Sequence, residues 1–233
     1  VNKQLIITGA SRGIGYHTAA HFLRQGWQVT NLSRHPCTVE GVKNIPTDLL
    51  QTQARLFACT ELTKQMQQPE VLCIVHNAAL MIKDRSDQID ARDLRQSLEL
   101  NVIAPSQINK ALIPHCGAGS SIIYIGSTLS EKAVANTASY VTSKHAILGL
   151  MRATTQDLSG SGIHSACVCP GFTDTDMLRE HIRDPRVLEH LAHQNALQRL
   201  VKPEEIADLI YYCATHPVIN GAVLHANLGQ LER

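Results

Sequence analysis

Seven short β-like runs alternate with stretches of helical length along the whole chain, and that alternation most constrains its fold. The strand candidates are Lys3 to Thr8, Trp27 to Leu32, Val42 to Pro46, Glu70 to His76, Ser120 to Gly126, His164 to Cys169 and Gly221 to Asn227. Helical patterns fall at Gly13 to Gln25, Leu49 to Gln67, Ala91 to Cys116, Ala138 to Leu158 and Pro203 to Ala214. In the first of these, Ile14, Ala19, Phe22 and Leu23 share a face. Pro105 marks a kink expected in the long third helix, and Pro203-Glu-Glu is a good helix start. Strands that alternate with helices pair in parallel, because each helix carries the chain back across the sheet. The fold class expected is α/β: one domain over residues 1–233, a doubly wound parallel sheet of about seven strands with helices on both faces.

Composition removes several classes of function. Apolar residues are 44% and charged residues 18%, enough for a packed core. Lys and Arg number 21 against 20 Asp and Glu, so the excess cations of a nucleic-acid binder are missing. No uncharged apolar run approaches the ~18 residues of a membrane span, and the apolar part of VNKQLIITGA is short for a secretory signal. The seven cysteines are odd in number, irregularly spaced and without C-x-x-C, which points to reduced core residues. The twelve histidines form no H-E-x-x-H or similar cluster, so no metal site is expected. Together these features point to the cytoplasm.

The segment Thr8-Gly-Ala-Ser-Arg-Gly-Ile-Gly15 follows the first strand and opens the first helix. Its glycines permit a tight turn and let backbone N–H groups approach a pyrophosphate, with the helix N-terminus adding partial positive charge. The spacing is G-x3-G-x-G rather than G-x-G-x-x-G, so by itself the loop is only a moderately specific sign of dinucleotide binding. The end of the second strand is more informative. A Rossmann protein choosing NAD places Asp or Glu there for the ribose hydroxyls, whereas this chain reads Asn31-Leu-Ser33-Arg34. Arg34 and Arg12 together suit a 2′-phosphate. NADP(H) is therefore the cofactor expected, with two solvated surface arginines as the alternative.

Tyr140-Val-Thr-Ser-Lys144 lies near the start of a helix, where i and i+4 share a face. A free phenol ionises near pH 10, and a neighbouring cation favours the ionised form. Such a phenol can exchange a proton with a carbonyl or alcohol oxygen while hydride moves at carbon. Y-x-x-x-K alone is a common coincidence. Here it is joined by Ser127 at the end of the fifth strand, Asn101 in the long helix, His76-Asn77-Ala78-Ala79 after the fourth strand and Pro170-Gly171-Phe-Thr173 after the sixth. All fall at strand carboxyl ends or on adjoining helices, where a doubly wound sheet binds ligands.

The ordered set TGASRGIG, HNAA, Asn101, Ser127, YVTSK and PGFT resembles the short-chain dehydrogenase/reductase family over essentially the whole chain. The resemblance implies a Rossmann fold in which Tyr140 is the catalytic acid/base, Ser127 orients the carbonyl and Lys144 assists Tyr140 and holds the nicotinamide ribose. It makes Asn101 the anchor of a water relay. For the cofactor it implies Gly9, Ser11, Arg12, Gly13, Ile14 and Gly15 at the pyrophosphate loop and Ser33 and Arg34 at the adenosine ribose, with the Arg12/Arg34 pair in an NADP-preferring pattern. Asp48 and Leu49 would lie beside the adenine, and Asn77, Ala78 and Ala79 along the ribose. Tyr140, Lys144, Pro170, Gly171 and Thr173 would border the nicotinamide. A homotetramer or homodimer is implied as well. Two departures stand out: Ala79 where relatives usually have Gly, and Gly229-Gln230 for a usual pair of glycines.

The segment 172–201 is expected to cover the substrate as a lid, with Met177 and Leu178 as candidate pocket residues and a mixed polar helix from Arg186 to Gln198. GFTDTDM and Lys202-Pro-Glu-Glu-Ile-Ala207 are similar to 3-oxoacyl-[acyl-carrier-protein] reductases. The reading that results is an NADPH-dependent reductase of a small ketone or aldehyde, reversible, with a 3-oxoacyl thioester as one substrate. The alternative from another class is a dinucleotide-binding regulator without turnover. A nucleic-acid-binding α/β protein would need more cations and aromatics.

Overall fold

The computed structural model describes residues 3–64, 66 and 71–231. In chain order the elements are β1 (Lys3–Thr8), α1 (Gly13–Arg24), β2 (Gln28–Ser33), β3 (Lys43–Pro46), α2 (Thr52–Thr63) and β4 (Val71–His76). Then come α3 (Ala91–Leu98), α4 (Ala104–Leu112), β5 (Ser121–Ile125), α5 (Ala138–Asp157) and β6 (His164–Pro170). The chain continues through α6 (Asp176–His181), α7 (Pro185–Ala192), α8 (Pro203–Thr215) and β7 (Val223–Ala226).

All seven strands are parallel, in the order β3-β2-β1-β4-β5-β6-β7. Winding proceeds outward from β1 to β3, then returns to β4 on the other side of β1. The direction thus reverses between β1 and β4, and at that point the loops at the strand carboxyl ends diverge to leave a crevice. Within one domain, the sheet has a core on each face. Leu5, Ile7, Val29, Cys73, Val75, Ile123 and Val168 face α1 and α8, meeting Phe22, Ile206 and Ile210. The alternate residues Ile6, Leu72, Ile74, Ile122 and Tyr124 join Leu62, Ile108, Ile147 and Met151 on the opposite face. Burial on both faces is why these strands read as nearly continuous apolar runs. Phe22 is wedged edge-on between Trp27 and Tyr211, each ring 5.1 Å away, and its truncation to Ala would cost about 3–5 kcal/mol.

Several expected boundaries move for local reasons. The long third helix does not kink at Pro105. It winds as a π-helix over Glu99–Ile103 and resumes as α4, where Pro105 sits in the first turn and needs no N–H partner. The second predicted helix begins at Thr52 instead of Leu49, because the Asp48 carboxylate accepts the Leu50 amide at 3.1 Å and closes a turn. Its predicted end at Gln67, and the predicted strand start at Glu70, lie outside the described residues. The polar helix expected at 186–198 is replaced by α7, which ends at Ala192, with α6 before it. All seven cysteines are free, six of them buried and Cys116 partly so. No helix among the described residues is long and apolar enough to cross a membrane.

Candidate active site

The crevice begins at the glycine loop between β1 and α1. Gly9 and Gly13 adopt φ of 72° and 56°, a region closed to most side chains. Gly15 is required for space: a Cβ there would stand 2.3 Å from the Gly9 carbonyl oxygen and 2.6 Å from Asn77 Nδ2. Arg12 is the N-cap of α1, yet no side chain caps the helix and its first turn has no acid. Ser11 precedes the N-cap and Ile14 lies in the first turn, so their amides and the helix dipole suit an anion such as a pyrophosphate.

Three neighbours brace the loop. Thr8 Oγ1 accepts the amides of Asn77 and Ala78, both at 3.0 Å. Asn77 Nδ2 donates to the carbonyls of Thr8 at 3.0 Å and Gly9 at 2.9 Å. Asn31 Oδ1 accepts the Ala10 amide at 2.9 Å. The Asn77 side chain is therefore spent on the loop, leaving its backbone and the partly buried Ala78 and Ala79 to border the crevice. Thr8 and Asn31 were not among the residues expected to matter. Their signal was a polar residue inside an apolar strand.

On the adenosine side, Ser33 ends β2 and Arg34 is exposed beyond it, without an ion pair among the described residues. Arg12 is engaged: its guanidinium fork pairs with both carboxylate oxygens of Glu180 on α6. Asp48 caps its own turn, and Leu49 beside it is buried.

The chemical end is built on α5. Tyr140 is 9% exposed and Lys144 4%, with the Lys144 ammonium 5.5 Å from the Tyr140 ring centre. Lys144 Nζ donates to the Ile125 carbonyl at 2.7 Å, the last residue of β5. Ser127 lies two residues past that strand instead of closing it. Its hydroxyl accepts the Leu129 amide at 3.1 Å, and its amide donates to Ser130 Oγ at 3.1 Å. Asn101 sits in the π-helical turn, where the wider winding turns its side chain inward. Its Nδ2 donates to the Leu80 carbonyl at 3.0 Å and to Ser143 Oγ at 2.8 Å, while Oδ1 accepts the Leu80 amide at 2.8 Å. It thus ties the loop after β4 to α5.

Asp84 is a positioning residue that sequence reading missed. No side chain of Thr137 caps α5. Asp84 does so from 55 residues away, accepting the Ser139 amide at 3.0 Å and the Ser139 hydroxyl. No local spacing could reveal that long-range cap. Across the crevice, Pro170 ends β6, Gly171 passes close to Asn227, and the buried Thr173 donates to the Gly171 carbonyl at 3.0 Å.

Behind the site is a buried polar chain. His76 Nε2 faces Asn109 Oδ1 at 2.7 Å, Asn109 Nδ2 donates to the Tyr124 hydroxyl at 2.6 Å, and that hydroxyl meets Thr154 Oγ1 at 2.8 Å. Burial pushes His76 down to about 4 and Tyr124 up to about 12. Beneath Gly126, Cys167 Sγ and Cys169 Sγ stand 3.8 Å apart. Among the described residues no three His, Cys, Asp or Glu side chains gather as metal ligands.

Known proteins share this architecture. The family model described as enoyl-(acyl carrier protein) reductase matches residues 9–230. Dehydrogenase/reductase SDR family member 6 of Danio rerio is 30% identical, the match covering 91% of this chain and 90% of that protein. The 3-oxoacyl-[acyl-carrier-protein] reductase MabA of Mycobacterium tuberculosis is 25% identical over 98% of this chain and 93% of its own. The ligand-free aldohexose dehydrogenase of Thermoplasma acidophilum superposes with a TM-score of 0.91 at 26% identity, covering 98% of this chain and 93% of that one. With its glycine loop, its seven-stranded parallel sheet and this match across nearly its full length, the chain belongs to the short-chain dehydrogenase/reductase family.

Proposed function

We propose that this oxidoreductase is NADP(H)-dependent and interconverts a small ketone or aldehyde with its alcohol, a 3-oxoacyl thioester being the first substrate to try. The observation that carries the reading is the buried Tyr140–Lys144 pair on one face of α5, with Lys144 fastened to the strand end that leads into Ser127. The Tyr140 hydroxyl has no hydrogen-bond partner among the described residues, so its proton is available to a bound substrate. Tyr140 gives that proton to the carbonyl oxygen as negative charge develops there, and takes it back in the alcohol direction. Ser127 donates a hydrogen bond to the same oxygen and fixes its direction. The Lys144 cation offsets charge left on the phenol oxygen. Asn101 and Asp84 hold the loop and helix that carry these groups. The bound nicotinamide supplies or accepts the hydride.

The uncapped start of α1 and its glycines fit a pyrophosphate, and Arg34 with Arg12 supports the choice of a 2′-phosphorylated dinucleotide. Thr173, Pro170 and Gly171 are assigned to the nicotinamide side. The name of MabA supports the thioester branch, and that of the Thermoplasma protein supports an aldohexose instead. Segment 172–201 is assigned as the substrate lid. Exposed Phe57 on α2 and Ile103 beside α4 support self-association.

The test is NADPH oxidation by purified protein with an acetoacetyl thioester, run beside NADH. Turnover with NADPH supports the cofactor and the thioester branch. Turnover with NADH alone overturns the cofactor assignment. Failure to oxidise either one across a panel of ketones and aldehydes, and to reduce NADP+ or NAD+ with the matching alcohols, would favour the regulator that binds without turnover.

A further inference from the structure

The lid helix α6 is fastened to both borders of the crevice. At the loop after β4, Lys83 Nζ donates to the His181 carbonyl at 2.9 Å, and His181 Nε2 lies 3.3 Å from the Met81 carbonyl. At the glycine loop, the Thr175 methyl lies 3.3 Å from where a Gly13 Cβ would be. The third fastening is the ion pair between Arg12 and Glu180. It takes both terminal nitrogens of the guanidinium, which is the two-pronged edge that Arg presents to a phosphate. Arg179 beside it does not compete for Glu180, because it pairs with Asp174 at 2.7 and 2.9 Å.

We propose that Glu180 sets the preference between the two nicotinamide dinucleotides by occupying the Arg12 fork that would otherwise receive a 2′-phosphate. The inference rests on the assignment of Arg12 and Arg34 to that phosphate. A phosphate monoester carries a charge of about −1.5 to −2 at neutral pH, against −1 for the carboxylate, so it displaces Glu180 at a cost. NADH brings no such group and leaves the pair closed. Glu180 therefore weakens NADPH selectively, and NADPH binding opens the Arg12–Glu180 fastening of α6 where NADH binding does not. Both side chains are about half exposed, 52% for Arg12 and 54% for Glu180, so the competition is modest in size.

Direct binding tests this without turnover. NADPH and NADH are titrated by the fluorescence of the reduced nicotinamide, and 2′,5′-ADP is titrated by calorimetry. Glu180→Gln keeps the side-chain shape and removes the charge. It is expected to tighten NADPH and 2′,5′-ADP by about two- to fivefold, the range of an exposed ion pair, with NADH unchanged. In an Arg12→Ala background the same substitution should have no effect. Equal changes for NADPH and NADH would assign Glu180 a role in lid structure only, and no change for NADPH would also overturn the proposal. Failure of the underlying assignment has its own signature: the unmodified protein would bind NADH more tightly than NADPH and would not bind 2′,5′-ADP. That outcome overturns both.

Discussion

The Lys144 ammonium is anchored 2.7 Å from the Ile125 carbonyl, so α5 and the end of β5 share one hydrogen bond two residues before Ser127. That bond couples the element carrying Tyr140 to the element carrying Ser127. A buried cation with its direction fixed needs no reorganisation when charge develops nearby.

Tyr140→Phe removes the transferable proton and leaves the ring that packs beside Lys144. Turnover is expected to fall by about 10²- to 10⁴-fold, while the dissociation constant for the reduced dinucleotide stays nearly constant. Steady-state rates combined with fluorescence titration check both halves. Near-normal turnover would remove Tyr140 from the acid/base role.

Arg34 is exposed at the end of β2 and not committed to another ion pair among the described residues. Arg34→Ala is expected to weaken NADPH by about tenfold or more, the scale of one charge-assisted hydrogen bond, and to leave NADH nearly unchanged. Parallel titrations of the two dinucleotides decide it. Equal losses would show that Arg34 does not touch the 2′-phosphate.

How much of this was legible in the sequence depended on the range of the interaction. Gly9, Gly13 and Gly15 announced the tight loop because a turn and the helix start after it are local, and the sheet followed from alternating strand and helix patterns. The bracing of that loop by Thr8 and Asn77, 69 residues apart, follows only once β1 and β4 are adjacent. Asp84 capping α5 is equally invisible from spacing. The pairing of Arg12 with Glu180 joins positions 168 apart and depends on where α6 folds back. The π-helical turn at Asn101 was missed because Pro105 reads as a kink, whereas one extra residue in the turn absorbs it.

Gly126 makes a separate structural expectation. A Cβ there would stand 2.7 Å from Cys169 Sγ and 2.8 Å from Cys167 Sγ. Gly126→Ala is expected to destabilise the fold by about 1–3 kcal/mol, as overpacking does. It should also lower turnover by displacing Ser127, the next residue. Adding Cys169→Ala should recover part of the stability. Urea denaturation of the single and double variants measures this, and strictly additive losses would rule out the clash as the cause.

His76 makes stability depend on pH. Asn109 donates through Nδ2 to Tyr124, so its Oδ1 is the atom facing His76 Nε2, and the imidazole proton sits on Nε2. Burial disfavours the charged imidazole, and Nδ1 has no hydrogen-bond partner among the described residues to receive a second proton, which is why the folded protein holds His76 at about 4 instead of 6.5. Between those values the unfolded chain binds the proton and the folded chain does not. The contribution is therefore complete above pH 6.5 and is lost as pH falls toward 4, amounting to about 3 kcal/mol over that window. His76→Phe breaks the bond to Asn109 and is expected to be less stable at pH 7.5. Its stability should nevertheless fall less steeply than that of the unmodified protein between pH 6.5 and 4.5. Urea titrations at four pH values across that range give both slopes, and equal slopes would mean that another group carries the acid sensitivity.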